Sequence, residues 1–335
     1  MAKTVNGAFN SFMKDYVNLA KERTEKARNS RDALINRINN LDNFLPLDKA
    51  HHLHFGSFAR RTKIRPIDDI DLMICIDVDG QEESSYGCSK VYVPSGSDYI
   101  SMGCCDSTYA YYHSYKYTLN SNKIKNKFKE ALSNLHDCQK AELHSNMEAI
   151  TLKFRSYEWN FDIVPCIYVK ANYGRDYYLI PDGHGNWKKT DPRIDRDIVT
   201  ELNKKHEGRV LDLIRLTKYW TKLTFGDWLP SYLVETMVIN YCQNQNMLIE
   251  YVDINFRCVL KYLMDNINGA VMDLKGIQGN INNLTYENKR KFIEGTRADY
   301  IRAQNAYDAE TKEQNHEKAI NAWREVFGLQ FPKYE

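Results

Sequence analysis

The chain has 335 residues, a formal net charge of +2, and 27% charged against 43% hydrophobic residues. That length can bury a sizeable core as one large domain or two medium ones, and the composition excludes wholesale disorder. The near-neutral balance argues against a protein built to coat nucleic acid, while leaving room for a local basic cleft.

Apolar residues recur at helical spacing from the start: Phe9, Phe12, Met13 and Val17, then Leu34, Ile35, Ile38 and Leu41. They predict an N-terminal helical element from Val5 to Leu45, as one long amphipathic helix or two shorter ones. HHLHF (51–55) reads as a short strand and IDLMICIDV (70–78) as another, its apolar run broken only at Asp71 and Asp77. Ser84 to Tyr117, rich in Ser, Gly and Tyr, reads as a long insertion or lid, and a segment of that length is usually functional. A basic helix follows, from Ser121 to Cys138. AITLKFRSYEW (149–159) and NFDIVPCIYV (160–169) are two further strands, β-branched and aromatic. DYYLIPDGHGNWKKTDP (176–192) reads as a turn-rich connection punctuated by Pro and Gly. From Arg193 onward the pattern is helical, in segments opening near Arg209, Ser231, Phe256, Asn288 and His316. The expected division is an N-terminal helix with a mixed α/β core over residues 1–190 and a helical domain over 191–335.

The eight cysteines (Cys75, Cys88, Cys104, Cys105, Cys138, Cys166, Cys242 and Cys258) form no CxxC pair and no zinc spacing with histidine. Several lie in apolar runs, where a free thiol behaves as a small hydrophobe, as in a reducing cytosol. No apolar signal core opens the chain and no stretch is long enough to cross a bilayer. A cytoplasmic protein without a membrane partner is expected.

Three carboxylates carry the chemistry. Asp69 and Asp71 are two residues apart at the mouth of a strand, so both point to one face while Ile70 turns into the core. Asp68 faces the other way. An acid one step into a buried strand costs free energy unless something compensates it, and paired carboxylates suit a hard divalent cation that keeps positions for water and phosphate. Asp162, in NFDIVPC, is a third such acid and completes a trio if its strand lies beside the first. Taken alone, an Asp pair at a strand start is most often turn chemistry. Upstream, Gly56-Ser57 follows a short strand and precedes FARRT. A glycine lets backbone approach a phosphate closely, and N–H groups at a helix start attract anions.

In this combination the chain resembles the nucleotidyltransferases of the polymerase-β superfamily, and more narrowly the cGAS/DncV-like enzymes (CD-NTases) that make cyclic oligonucleotide signals in bacteria. GSFARRT…DDIDLMI is similar to the family's GS…DxD signature, and FDIVPC to its third-acid strand. YLIPDGHGNWKKTDP resembles the connection that follows, and RLTKYW with PSYLVETMVI resembles the Lys-bearing helix and Ser-containing helix start that hold the donor nucleotide. The resemblance covers most of the chain. It implies an α+β fold: a polymerase-β-like core with a mixed sheet, a long N-terminal helix, a C-terminal helical domain and an active site in the cleft between lobes. Carried over, it makes Gly56 and Ser57 the phosphate loop, Asp69, Asp71 and Asp162 the catalytic metal ligands, Lys218 and Ser231 triphosphate contacts, and Tyr232 a stacking platform for a base.

The residues themselves agree in part. Lys218 falls four positions after Ile214 and seven after Leu211, on the apolar side of its helix. There it is either a point charge for phosphate or a stem snorkelling to solvent. Ser231 follows Pro230 and opens a helix, where it can cap the helix or bind phosphate. Tyr232 offers a π-face to a base or packs in the core. The basic run Arg60, Arg61, Lys63 and Arg65 either steers nucleotides or is solvated surface. His51, His52 and His54 alternate as on a half-exposed strand and are not taken as ligands.

The expected function is Mg²⁺-dependent nucleotidyl transfer (Mn²⁺ serving in its place). It would join nucleoside triphosphates (ATP, GTP or pyrimidine nucleotides) without an obligatory template, releasing pyrophosphate and closing a cyclic di- or trinucleotide. Resemblance further implies antiphage signalling of the CBASS type, with a separate effector protein reading the product. The alternatives are a template-independent polymerase making linear products, such as a CCA-adding or 2′-5′ oligoadenylate synthase-like enzyme, and a catalytically inactive nucleotide-binding module.

Overall fold

The computed structural model describes residues 1–78, 90–95, 98–104, 113–114, 118–135, 141–171 and 174–335, with backbone alone for 90–95, 98–104, 113–114 and 118. Contacts divide the chain into two units: a sheet unit of Lys21–Ala59 and Ile67–Arg193, and a helical unit of Met1–Ala20, Arg60–Pro66 and Ile194–Glu335. The first 20 residues and the short segment 60–66 contact the helical unit, although in sequence they adjoin the sheet unit.

The N-terminal element is two helices. Helix α1 (Val5–Phe12) runs into a turn of π-helix, Met13–Val17, and stops at Asn18, whose backbone is extended. Helix α2 (Lys21–Asn39) begins after it and belongs to the sheet unit. Thr4 caps α1 by accepting from the Gly7 N–H at 3.1 Å, which satisfies one of the orphan donors of a helix start. The apolar residues Val5, Ala8, Phe9 and Phe12 are all buried.

The sheet unit continues with strand β1 (Leu53–Phe55), a single helical turn α3 (Gly56–Ala59) and strand β2 (Asp69–Cys75). Strands β3 (Lys90–Ser95), β4 (Asp98–Cys104), β5 (His113–Ser114) and β6 (Thr118–Leu119) follow. Backbone strands therefore run through the segment expected to be an insertion or lid, Ser84 to Tyr117. Its remaining residues, and the side chains of its tyrosines, lie outside the described residues. Helix α4 (Ser121–Asn134) is capped by Asn120, which accepts from the Lys123 N–H at 3.0 Å. Then come β7 (Glu142–Ser145), β8 (Ile150–Lys153), β9 (Asn160–Val169), β10 (Tyr177–Pro181) and β11 (Trp187–Thr190).

All these strands form one mixed sheet in the order β1-β2-β9-β10-β11-β3-β6-β5, with β4 on β3, β8 on β9 and β7 on β8. The stretch expected as a connection, 176–192, is instead the antiparallel pair β10 and β11. Its turn is held by Asp182, which accepts from the backbone N–H of His184 at 2.7 Å and of Asn186 at 3.0 Å, an Asx-type closure that Pro and Gly punctuation alone does not distinguish from a loop. Strand β9 is the hinge of the sheet: β2 pairs with it in parallel on one side, and β8 and β10 share the other side antiparallel. Residues Ile163–Ile167 of β9 are buried without alternation, as in a strand covered on both faces.

The helical unit contains α1, most of α5 (Pro192–Lys205), and α6 (Arg209–Phe225), α7 (Ser231–Gln243), α8 (Val252–Asn266), α9 (Tyr286–Thr311) and α10 (His316–Phe327). Its core joins residues far apart in sequence. Phe9 meets Trp323 edge-on at 5.0 Å and Phe331 at 4.9 Å, and Phe12 meets Tyr219 at 5.2 Å. Such rings bury large areas and prefer edge-to-face geometry. The buried Trp220 indole donates to Asp299 at 2.8 Å. Among the described residues, no helix is long and apolar enough to cross a membrane. Cys75, Cys166, Cys242 and Cys258 are free thiols.

Candidate active site

Of the eight residues singled out in the sequence, Gly56, Ser57, Asp69, Asp71 and Asp162 belong to the sheet unit, and Lys218, Ser231 and Tyr232 to the helical unit. Along β2, Asp69 and Asp71 are half-buried while Ile70 between them is buried. This is the alternation that puts both carboxylates on one side of the sheet. Strand β9 lies directly beside β2 in parallel register, with Asp71 opposite Asp162 and Asp69 opposite Asn160. Neighbouring strands are about 4.8 Å apart, so the two acids start from adjacent Cα positions at the same level of the sheet.

The Gly-Ser turn meets the same carboxylates. Strand β1 pairs antiparallel with β2, Phe55 opposite Asp71, so the chain leaves β1 beside that acid. Gly56 has φ +70°, and a Cβ placed on it would lie 1.7 Å from Asp71 Oδ2 and 2.4 Å from its Cγ. Only glycine fits: a side chain would be strained by the left-handed backbone and would collide with the carboxylate. Ser57 is the second residue of α3 and is half-buried.

Asp162 has a partner that the sequence did not reveal. Thr151 on β8, directly opposite it across the antiparallel ladder, donates its hydroxyl to Asp162 Oδ1 at 2.6 Å. This bond fixes the orientation of the carboxylate. The donor set of Asp69, Asp71 and Asp162 is all carboxylate oxygen, which fits Mg²⁺ or Mn²⁺ rather than a softer ion. Among the described residues, however, no three His, Cys, Asp or Glu side chains are gathered closely enough to hold an ion as they stand. The strands align the acids, while the Asp162 carboxylate is turned to Thr151 and that of Asp71 lies against Gly56.

In the helical unit, Lys218 does not snorkel to solvent. It is 7% exposed, and its Nζ lies 3.3 Å from Oε2 of Glu235, a carboxylate of α7 that is 1% exposed. Glu235 also receives Arg60 Nε at 2.7 Å and the Thr62 hydroxyl at 3.0 Å. The basic run is divided: Arg60 is an internal ion-pair partner, Arg65 donates to the backbone carbonyl of Lys14 at 2.8 Å, and Arg61 is exposed. Burial works to raise the Glu235 carboxyl, but Arg60, Lys218 and Thr62 outweigh it and hold it below the ordinary carboxylate range. Burial lowers Lys218, and Arg60 adds to this, against the pull of Glu235. Two cations share one carboxylate, which leaves a net positive charge that an anion can satisfy.

Ser231 is exposed and is the first residue of α7. The cap position belongs to Pro230, and no side chain caps this helix start. The capping role weighed for Ser231 therefore does not apply, and its hydroxyl stands beside backbone N–H groups without an intrahelical acceptor. Tyr232 is held by its hydroxyl, which lies 3.0 Å from Asp195 Oδ1 and 2.9 Å from Asp273 Oδ1 and accepts from Lys275 Nζ at 2.9 Å. Lys275 in turn reaches Asp273 at 2.7 Å. Burial, and then the two carboxylates, push the Tyr232 phenol well up, so it stays a neutral donor. Glu235, Thr151 and the Asp195–Asp273–Lys275 knot were missed in the sequence. A Glu inside the apolar run YLVETMVI is the one signal that could have marked the first.

Comparison with known proteins places this geometry in a lineage. Residues 3–90 match the Second Messenger Oligonucleotide or Dinucleotide Synthetase (SMODS) domain. The chain is 40% identical to a probable cyclic nucleotide synthase of Bacillus cereus strain VD146 over the full length of both. It is 26% identical to the cyclic AMP-AMP-AMP synthase of Acinetobacter sp. strain ATCC 27244 / 9458, over 59% of this chain and 58% of that one. The fold is shared with CdnC of E. coli MS115-1, solved with ATP, at a TM-score of 0.68 and 17% identity across 98% of each chain. The chain belongs to the cGAS/DncV-like nucleotidyltransferases of the polymerase-β superfamily, enzymes that synthesise cyclic oligonucleotide second messengers.

Proposed function

We propose that this enzyme joins nucleoside triphosphates by divalent-metal-dependent transfer at Asp69, Asp71 and Asp162, closes a cyclic di- or trinucleotide, and signals through a separate effector in antiphage defence. The observation that carries the reading is the register of β2 and β9, which sets Asp71 opposite Asp162, with the Asp71 carboxylate against Gly56. Bound Mg²⁺ would supply charge neutralisation for the triphosphate and acidify the attacking sugar hydroxyl.

The protein's own residues have definable parts. The three aspartates hold negative charge at one level of the sheet, where a divalent cation can compensate it. Gly56 removes the side chain that would keep a phosphate from the backbone of α3, and Ser57 adds a hydroxyl there. Thr151 fixes Asp162. Lys218, pinned by Glu235, presents a buried positive charge, and Ser231 presents a hydroxyl and the N–H groups of a 13-residue helix. In the step itself the hydroxyl oxygen bonds to the α-phosphorus, the bond from that phosphorus to the bridging oxygen breaks, and pyrophosphate leaves. The hydroxyl proton passes to solvent.

The test is incubation of the purified protein with all four radiolabelled nucleoside triphosphates and Mg²⁺ or Mn²⁺, followed by phosphatase. A phosphatase-resistant product supports ring closure. A sensitive product means a linear chain and overturns that part of the reading.

A further inference from the structure

The hydroxyl that holds Asp162 is itself held. Thr151 is the second residue of β8, which is joined to β7 by a tight turn with Ser145 opposite Ile150. The Asn146 backbone N–H donates to the Ala149 carbonyl at 2.9 Å and closes that turn. The Asn146 side-chain amide donates to Thr151 Oγ1 at 3.5 Å. The hydroxyl thus accepts from the turn and directs its one proton to Asp162 Oδ1.

The turn is anchored from α4. Lys125 is only 6% exposed, and its ammonium donates to the carbonyl of Asn146 at 2.7 Å and to that of Met147 at 2.8 Å. A buried cation is costly unless its donors are satisfied, and an apolar side chain would pack with the buried Ile124 and Phe128 of α4 without that cost. What lysine adds is a fixed place for two consecutive carbonyls, through charge-assisted bonds that are stronger than neutral ones. Two further contacts hold the same turn. Lys188 pairs with Glu148, and Gly183 lies so close that a Cβ on it would stand 3.3 Å from the Met147 Cα. Asn146 and Met147 are nonetheless exposed, at a surface position where connecting segments are ordinarily mobile. This one is bolted down, and the strand that leaves it reaches the partner of Asp162 at its second residue.

We propose that Lys125 is a positioning residue for nucleotidyl transfer: by fixing the β7–β8 turn it fixes Asn146 and the Thr151 hydroxyl, which aims the Asp162 carboxylate. Lys125 acts through Thr151 and touches no substrate. The inference rests on the reading of Asp162 as a metal ligand in catalysis, and it extends that site from the strand bearing the acid to α4. Groups that orient ligating side chains in this way cost about 10–100-fold in metal affinity or activity when removed.

The experiment is a double-mutant cycle on the purified full chain. Pyrophosphate release at saturating Mn²⁺ gives kcat and KM for nucleoside triphosphate, and electron paramagnetic resonance of free Mn²⁺ gives the affinity for the ion without turnover. Thr151→Val should lower kcat or Mn²⁺ affinity by roughly 10–100-fold, and Thr151→Ser, which keeps the hydroxyl, should retain most of the wild-type value. Lys125→Met should lower the same quantity by roughly tenfold while moving KM less than about twofold, since the triphosphate is placed against Gly56 and Ser57. In the Thr151→Val background the lysine change should cost less than about twofold, because the bond it supports is already gone. Lys125→Gln, a milder change, is carried through the same cycle so that loss of fold in the methionine variant leaves the coupling measurable, and thermal melts follow every variant. Lys125 variants with wild-type kcat and Mn²⁺ affinity would overturn the inference. So would losses that add in full to that of Thr151→Val, the sign of a merely structural role. Failure of the underlying reading looks different: Asp162→Ala would then release pyrophosphate as the wild type does.

Discussion

Replacing Gly56 by alanine probes the junction of turn and carboxylate directly. Two costs follow from the geometry. The left-handed φ of +70° penalises any L side chain by about 1–2 kcal/mol. The new Cβ would also stand 1.7 Å from Asp71 Oδ2, so the carboxylate must rotate away. Misplacing a catalytic group by about an ångström costs on the order of a hundredfold in rate. Gly56→Ala should therefore lose about 1–2 kcal/mol or more in urea denaturation and release pyrophosphate on the order of a hundredfold more slowly. A double-mutant cycle with Asp71→Ala separates the costs, since removing the carboxylate leaves the backbone strain and a contact with the residue-71 Cβ at 3.0 Å. The stability loss caused by Gly56→Ala should shrink in that background. A Gly56→Ala enzyme with wild-type turnover, or a stability loss that is the same in both backgrounds, would refute the reasoning.

Three further outcomes are expected. Glu235→Gln leaves Arg60 and Lys218 buried without a countercharge and should destabilise by roughly 3–5 kcal/mol in chemical denaturation, whereas an unchanged midpoint would show that water, not Glu235, satisfies those cations. Because burial lowers Lys218, KM for nucleoside triphosphates should rise on the alkaline side at a lower pH than an ordinary lysine near 10.4 would give, and Lys218→Arg should remove that inflection. Burial, with Glu310 nearby, pushes Asp253 up to about 6. The fold then binds a proton between about pH 4 and 6 that the unfolded chain does not, and stability falls as pH rises through that window. Asp253→Asn should accordingly stabilise by roughly 1–3 kcal/mol at pH 7 and change little at pH 4, as followed by urea denaturation at both values.

Much of the site was legible because its signals are local. The alternation Asp69-Ile70-Asp71 puts two acids on one face whatever the rest of the chain does, and an acid in the run of β9 had to be explained wherever the strand lay. The adjacency of β2 and β9 was only a wager: it is set by pairing across some 90 residues, and periodicity does not encode register between distant strands. The need for glycine at position 56 was equally hidden, since it comes from the Asp71 carboxylate rather than from the neighbours of Gly56. The β10–β11 pair was misread because Pro181, Gly183 and Gly185 punctuate a hairpin and a loop alike. Glu235 obeys the argument applied to Asp71, that an acid in an apolar run needs a partner, but the helical run around it drew attention to packing. Arg60 then had no visible countercharge, and the basic run read as either a steering patch or solvated surface.

The most direct test of the central claim is a crystal structure with Mn²⁺ and a non-hydrolysable nucleoside triphosphate, using anomalous scattering to place the ion. The account predicts an anomalous peak bonded to carboxylate oxygens of Asp69, Asp71 and Asp162, with the triphosphate against Gly56 and Ser57. A peak elsewhere, or a bound triphosphate whose ion touches none of the three aspartates, would contradict it.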